Sequence, residues 1–363
     1  MVVFVLRRVG IILLTALTLS YIVFALTNLP SSLSKLAKAE GSVRMSDEEV
    51  QTWLDENGFG GSMVTRYGEW LGVVPGWVHT DNEGVTRGRC IEAAKIEGSE
   101  EVASYCGILQ GYWGFSTVFK QPVSEVMSRS LGATGWLMFW VMAVMVPTSL
   151  VLGVLAGMRE GSRTDRVLSG VAIVTTATPE YVSGVVLIAV LASATAGISP
   201  VLAEWGWISG KTLFPGTATA AMEDITFMNF FLPVMTIALY GIGYIARMTR
   251  ASMTEVMTQQ YIRTARLKGV SFRQVVMKHA LRNALIAPFT VIMLQFPWLL
   301  NGVVISETLF NYKGFGWTLV QAAGNNDINT LLGCTVVAVF VVLVTQLISD
   351  IGYVFLNPRI RLA

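Results

Sequence analysis

Six long apolar runs constrain this chain more than anything else in it: Val9 to Leu29, Leu131 to Met158, Val167 to Ala196, Phe230 to Ala246, Asn283 to Val304, and Leu331 to Leu356. A hydrocarbon core about 30 Å thick takes roughly 20 apolar residues in a helix. Backbone polar groups within lipid must be satisfied inside the span, so runs of this kind read as helices. The predicted fold class is therefore an all-α polytopic membrane protein of about six transmembrane helices. Composition agrees: of 363 residues 53% are hydrophobic and 14% charged, against about a quarter charged in soluble proteins. The third run exceeds one perpendicular crossing, and Pro179 and Gly184 mark where it bends or breaks. The fourth is the shortest. Arg7 and Arg8 precede the first run as they would a secretory signal, but its length is beyond the roughly 7–15 apolar residues of a cleavable segment. It reads as a retained anchor.

The net charge of +2 says little and its distribution says much. With the N-terminus in the cytoplasm and six crossings, the inner segments carry Arg7, Arg8, Arg159, Arg163, Arg166, the many cations from Arg247 to Arg282, and Arg359 and Arg361. Only Glu160, Asp165 and Glu255 stand against them. Lys and Arg in short loops set orientation, which places both termini inside. Four parts follow: 1–29, the cytoplasmic N-terminus and first span; 30–130, an extracytoplasmic cap; 131–356, a five-span core with a cytoplasmic loop at 247–282; and 357–363, a cytoplasmic tail.

The cap is polar, acid-rich and not of low complexity. Ser46 followed by acidic residues opens a helix that Gly58, Gly60 and Gly61 end, and a second helical stretch is predicted from Cys90 to Tyr105. Cys90 and Cys106 share this outer segment, where an oxidising compartment permits a disulfide, with free thiols the alternative. Cys334 lies in the last span and reads as a small apolar residue. Trp205, Trp207 and Pro215 mark the other outer connection as interfacial.

The loop 247–282 is far longer than a connection requires and has its own helical grammar. Residues Gln260 to Lys268 contain no helix breaker and are closed by Gly269, suited to a left-handed cap. Ser271 to Gln274 fits a capping box, with Val270 and Val275 placed as a hydrophobic staple. Two helices thus meet at a sharp elbow. Basic charge leaves two readings open: a segment lying among lipid headgroups, or a docking element for a soluble partner.

The run Tyr261-Ile262-Arg263-Thr264-Ala265-Arg266-Leu267-Lys268-Gly269, followed by His279 to Asn283 and then Ile286 and Pro288, resembles the Glu-Ala-Ala loop of ABC-importer permeases. Its form is similar to that of the first (B-type) permease of the oligopeptide/dipeptide/nickel subfamily, which often replaces the acidic residue. Val304 to Phe310 with Gly314 and Gly316, Asp350 to Tyr353 with Asn357 to Arg361, and Tyr112 to Ser116 with Pro122 and Val123 resemble further segments of that family. The resemblance implies a type I importer architecture in a bacterial inner membrane, with Tyr261 to Gly269 as the helix coupling to an ATPase and Asn283, Ile286 and Pro288 as the return to the membrane. It also implies the partners: a second, C-type permease, two ATPase subunits that hold ATP and Mg²⁺, and an extracytoplasmic substrate-binding protein. Short peptides or a related small solute are the implied cargo. The chain departs from the family at about Gly72 to Leu109, which is longer than usual and contains both outer cysteines.

No phosphate-binding Gly-rich loop occurs, so no ATP site, cofactor or catalytic residue is predicted in this chain, nor any nucleic-acid partner. His79 and His279 are isolated, and no metal site is predicted. An acid within the membrane is a functional candidate by default. Glu180, just after Pro179, reads either as a structural hydrogen-bonding group or as a lining of the pathway; Glu307 is a second candidate, with Asp350 near an interface. A secondary transporter or channel working without ATPases is the rival reading, but neither inverted repeats nor an intramembrane ion path is visible.

Overall fold

The computed structural model describes residues 2–80 and 85–356. Residues 357–363, which include the predicted inner tail and the Asn357 to Arg361 pattern, lie outside them. The chain divides into two units, Met1–Leu131 with Thr318–Val341 and Gly132–Trp317 with Val342–Ala363.

Among the described residues four helices are long and apolar enough to cross a membrane: α1 (Val2–Thr27), α6 (Val123–Gly157), α10 (Phe227–Met257) and α16 (Ile328–Leu356). Two bent pairs bring the number to six if each pair counts as one span. One joins α7 (Arg163–Ala177) to α8 (Glu180–Leu187), whose last residues continue as a π-turn over Ile188–Ala192. Their axes differ by 106°. Pro179 is the cause, because a proline drives the preceding residue out of helical geometry, and Thr178 is extended at φ −87°, ψ 122°. The other pair bends by 49° where the helix leading out of loop 247–282 enters α14 (Ile286–Leu309).

Two expected boundaries are corrected. The fourth span does not stop at Ala246, and loop 247–282 is not loop at its start. The helix runs on to Met257 because Ile245, Thr249 and Met253 recur at every fourth position and are all buried. Exposed cations on the opposite face do not end a helix.

In the first unit, α2 (Pro30–Glu40), α3 (Asp47–Glu56) and α4 (Met63–Leu71) pack Leu33, Leu36, Ala37, Val50, Leu54 and Trp70 with Phe24, Ile328 and Leu332. The Ser46 cap forms a reciprocal box: Glu49 N–H donates to Ser46 Oγ at 3.3 Å and Ser46 N–H to Glu49 Oε2 at 2.7 Å. An antiparallel pair, β1 (Val78–Thr80) and β2 (Thr86–Gly88), leads into α5 (Arg89–Glu97). The helix predicted to reach Tyr105 ends at Glu97, since Gly98 adopts φ 69°. Cys90 and Cys106 are joined by a disulfide. The stretch around Ser116 is tied down by Asp327, fully buried, which accepts from Ser116 Oγ at 2.5 Å, Thr330 N–H at 3.1 Å and Thr330 Oγ1 at 2.9 Å.

The second unit centres on α10, against which α7, α8 and α14 pack. A Cβ at Gly184 would lie 2.4 Å from Leu309 Cδ2, and one at Gly243 2.6 Å from the Ala172 carbonyl. The backbone carbonyl cannot give way, so close contact of α7 and α10 requires glycine at 243, whereas at 184 the contact is with the movable end of a leucine side chain. A short helix, α9 (Ser199–Glu204), lies in the connection that presents Trp205 and Trp207 outwards, 62% and 73% exposed.

Candidate functional site: the elbow between α10 and α14

Past Met257 the chain turns through Thr258 and Gln259 into α11 (Gln260–Leu267). The helix ends in a Schellman motif. Gly269, at φ 77°, donates its N–H to Arg266 O at 3.0 Å, and Val270 donates to Ala265 O at 3.2 Å. These two bonds satisfy carbonyls that a helix C-terminus otherwise leaves bare. Nothing lies within 4 Å of where a Gly269 side chain would point. Conformation, not crowding, therefore requires glycine there.

After the turn comes α12 (Phe272–Gln274), then a π-turn over Val275–Ala280, then α13 (Leu281–Ala284). Ser271 is extended at the start of α12, but its side chain makes no capping bond, so the predicted capping box is not formed. The staple supplies the fixation instead: Val275 is fully buried and Val270 packs in the same cluster, with Ile262, Ala265, Met253, Val276, Ala280 and Ala284. Apolar burial holds the entry angle where two solvent-facing side chains do not.

Pro288 explains the 49° bend. Lacking an N–H, it cannot donate to the Ala284 carbonyl four residues earlier. Ser252 Oγ, from α10, donates to that carbonyl at 2.7 Å. Asn283 Nδ2 donates to Tyr261 Oη at 2.9 Å, tying the return helix to α11. Ile286 is 43% exposed at the start of α14.

Two further contacts brace the elbow. Asp165 accepts from Arg250 Nε at 2.6 Å and Nη2 at 2.8 Å, and also from Gly161 N–H and Ser169 Oγ. This two-point clamp binds the start of α7 to the extension of α10. Arg159 lies 5.1 Å from the Phe272 ring centroid, a cation–π contact with α12. Neither brace was visible as such in the sequence. Its one local signal was Ser162-x-x-Asp165, a helix start in which Asp165 N–H indeed donates to Ser162 Oγ.

The residues singled out in α11 divide by face. Ile262 and Ala265 are buried, 0% and 7% exposed, against their own bundle. Tyr261, Arg263, Thr264, Arg266, Lys268 and Gly269 are exposed. Leu267, which the sequence reading did not single out, is the most exposed large apolar side chain of the elbow at 81%. An amphipathic helix lying among headgroups turns its apolar face outward. Here that face is consumed internally, leaving one leucine and one tyrosine among three cations.

The two acids fare differently. Glu307, near the end of α14, is fully buried and accepts from Thr134 Oγ1 and from Trp317 N–H at 3.0 Å. A Cβ at Gly314 would lie 2.1 Å from its Oε1, which is why that segment needs glycine. Glu307 thus knots α14, α6 and the turn after Phe310 together. Glu180 is 9% exposed at the α7–α8 break, and its Oε1 has no hydrogen-bond partner among the described residues. No group of three or more His, Cys, Asp or Glu placed to hold a metal ion occurs among the described residues.

Comparison with known proteins bears on the same region. Residues 149–362 match the family described as binding-protein-dependent transport system inner membrane component. A probable peptide ABC transporter permease protein of Sinorhizobium fredii is 33% identical over 255 residues, covering 70% of this chain and 77% of that one. An oligopeptide transport system permease protein of Bacillus subtilis is 33% identical over 263 residues, with 70% and 77% covered. A glutathione transport system permease protein of Salmonella choleraesuis is 30% identical over 254 residues, with 70% and 76% covered. Among solved structures, an amino acid ABC transporter with histidines aligns with 63% of this chain and 94% of its own at a TM-score of 0.46 and 14% identity.

Proposed function

This chain belongs to the inner membrane components of binding-protein-dependent transport systems, and we propose that its elbow is where an ATPase subunit pushes. The chain is a permease of an importer. In this reading α11 seats in a groove of the ATPase, with Leu267 and Tyr261 entering an apolar floor while Arg263, Arg266 and Lys268 meet an acidic rim. Force on α11 passes through the Schellman turn at Gly269 into the π-turn and α13, and through the Arg250–Asp165 clamp into α7. The broken span α7–α8, which carries Glu180, is then the element that changes access. A coupling of this kind needs a contact that differs between two states, and nucleotide-driven closure of the ATPases supplies it.

ATP and Mg²⁺ bind on two partner ATPases, not on this chain. A second, similar permease completes the pathway, and an extracytoplasmic binding protein delivers the solute. Both termini face the cytoplasm. Short peptides are the cargo class that the named relatives favour.

The observation that carries the reading is that α11 buries its own apolar stripe and still leaves Leu267 bare. Leu267→Glu tests it in proteoliposomes holding the full transporter. ATP-driven uptake should fall at least tenfold while insertion and thermal stability stay near those of the parent, since a surface change costs within about 0.5 kcal/mol. Ala265→Arg is the contrast: it buries a charge and should lower the yield of folded protein, not merely uptake. Parental uptake by Leu267→Glu would remove the docking role.

A further inference from the structure

The first unit contains a cavity of about 250 Å³ that the transport reading leaves unused. It is close to the lower limit of about 300 Å³ for ligand pockets, the scale of a very small solute. Aromatic side chains form much of its wall: Trp53, Trp70, Trp77 and Tyr112. Two guanidiniums line it as well. Arg66, on α4, donates from Nη1 to Asn28 Oδ1 at 3.1 Å and from Nη2 to Met63 Sδ at 3.6 Å, yet its buried Nε has no acceptor. Arg89, at the start of α5, donates from Nε to the Cys106 carbonyl at 3.2 Å and lies 5.3 Å from the Tyr112 ring centroid, yet its buried Nη2 has no acceptor. Neither arginine is in an ion pair among those found between described residues.

Leaving two half-buried guanidiniums short of acceptors is costly, since an unmade hydrogen bond to a charged group forfeits more than a neutral one. Four acids also line the cavity, and their placement is uneven. Asp327 is already occupied by Ser116 and Thr330. Glu40 and Glu92 are exposed and Glu69 is half-buried; Arg89 acts on both Glu69 and Glu92, and Arg66 on Glu69. Burial holds the carboxyls of Glu40, Glu69 and Glu92 alike above their ordinary values.

We propose that this cavity is a binding site for a small zwitterion carrying a carboxylate and an ammonium group, on the scale of an amino acid or dipeptide. The carboxylate takes the unused donors of Arg66 and Arg89. The ammonium faces Glu40, Glu92 and the aromatic faces. The segment from Gly72 to Leu109 builds one wall: it brings Trp77, Arg89 and Glu92, and the Cys90–Cys106 disulfide fixes the carbonyl that holds Arg89.

The test uses the full chain in phosphatidylglycerol nanodiscs, where no zwitterionic headgroup competes, with no binding protein and no ATPase present. Calorimetry with the dipeptide alanyl-alanine, its C-terminal amide and its N-acetyl form reads both ends of the ligand. The free dipeptide should bind, and the amide and the N-acetyl form should each bind at least tenfold more weakly. Arg66→Gln and Arg89→Gln should each weaken the free dipeptide at least tenfold, while Arg66→Lys, which keeps the charge without the planar fork, should weaken it less. No binding of the free dipeptide, or equal binding of all three ligands to the parent chain, overturns the proposal without recourse to a variant. So does dipeptide binding that both Gln variants keep, which places the ligand elsewhere. Because no ATPase is present, these results stand apart from the success or failure of the transport reading.

Discussion

The elbow and the cap use the same local device and put it to opposite ends. In both, helices are closed by glycines in the left-handed region: Gly269 after α11, and Gly72 and Gly98 after α4 and α5. Around the elbow, however, most of the buried polar groups are paired, Thr254 Oγ1 being the one without a partner among the described residues. Asp165 has four donors on it, the carbonyl orphaned by Pro288 receives Ser252, and Ile262, Ala265 and Val275 close the underside. The cap instead keeps a cavity and two guanidiniums with unused donors. Under the two proposals above, the contrast separates a part read as transmitting force from one read as receiving a ligand. The first pairs its buried charge and packs its apolar stripe inward, and leaves its cations on the outside. The second keeps unmade bonds inside.

The largest way to sharpen this contrast is to open the disulfide. Replacing Cys90 and Cys106 by serine removes a cross-link of sequence separation 16, worth about 3 kcal/mol for a loop of that size. Amide exchange should quicken in residues 76–112 and stay unchanged in 258–285. Equal quickening of the elbow would mean that the two regions do not unfold as separate units.

Arg250→Ala acts on the other side. It strips the clamp from an Asp165 side chain that is 4% exposed, though Gly161 and Ser169 remain as donors. Because Arg250 itself reaches solvent, the loss should be about 2 kcal/mol, below that of a fully buried pair. ATP-driven uptake should fall with it, whereas Arg250→Lys, which keeps charge without the two-point contact, should recover only part. Full recovery by lysine would reduce the clamp to simple charge balance.

The smallest effect is local to α3. Ser46→Ala should cost about 1 kcal/mol, read as roughly fivefold faster exchange at Glu49 and Val50. The hydrogen bonds from Ser46 hold the Glu49 carboxyl below its ordinary value. That contribution is therefore present at neutral pH and is lost as pH falls through the lowered value. Exchange in α3 that is insensitive to both changes would show that packing of Val50 and Leu54 alone sets the helix start.

What the sequence made legible was what depends on neighbours along the chain. The six apolar runs, the break at Pro179, the cap at Ser46 and the left-handed turn at Gly269 are all local signals, and each is present. The extension of α10 to Met257 was missed because apolar continuity was sought where only every fourth residue is buried. The strands Val78–Thr80 and Thr86–Gly88 are too short to display a period. The Ser271 box is not formed, although the equally exposed Ser46 box is, and the buried Val275 fixes the turn in its place. Long-range pairings were beyond reach altogether: Arg250 meets Asp165 across 85 positions, and Ser252 meets Ala284 across 32. The outward leucine of α11 could be identified only once its neighbours Ile262 and Ala265 were known to face inward.

Site-directed cross-linking from Leu267→Cys in the assembled transporter probes the elbow's role most directly. Among the described residues the other cysteines are disulfide-bonded or buried, so the new thiol is the reactive one. A thiol-anchored photo-cross-linker at that position should capture an ATPase subunit, with a yield that changes between the ATP-bound and nucleotide-free states. A thiol that stays fully open to aqueous reagents in every nucleotide state and captures no ATPase chain would contradict the account.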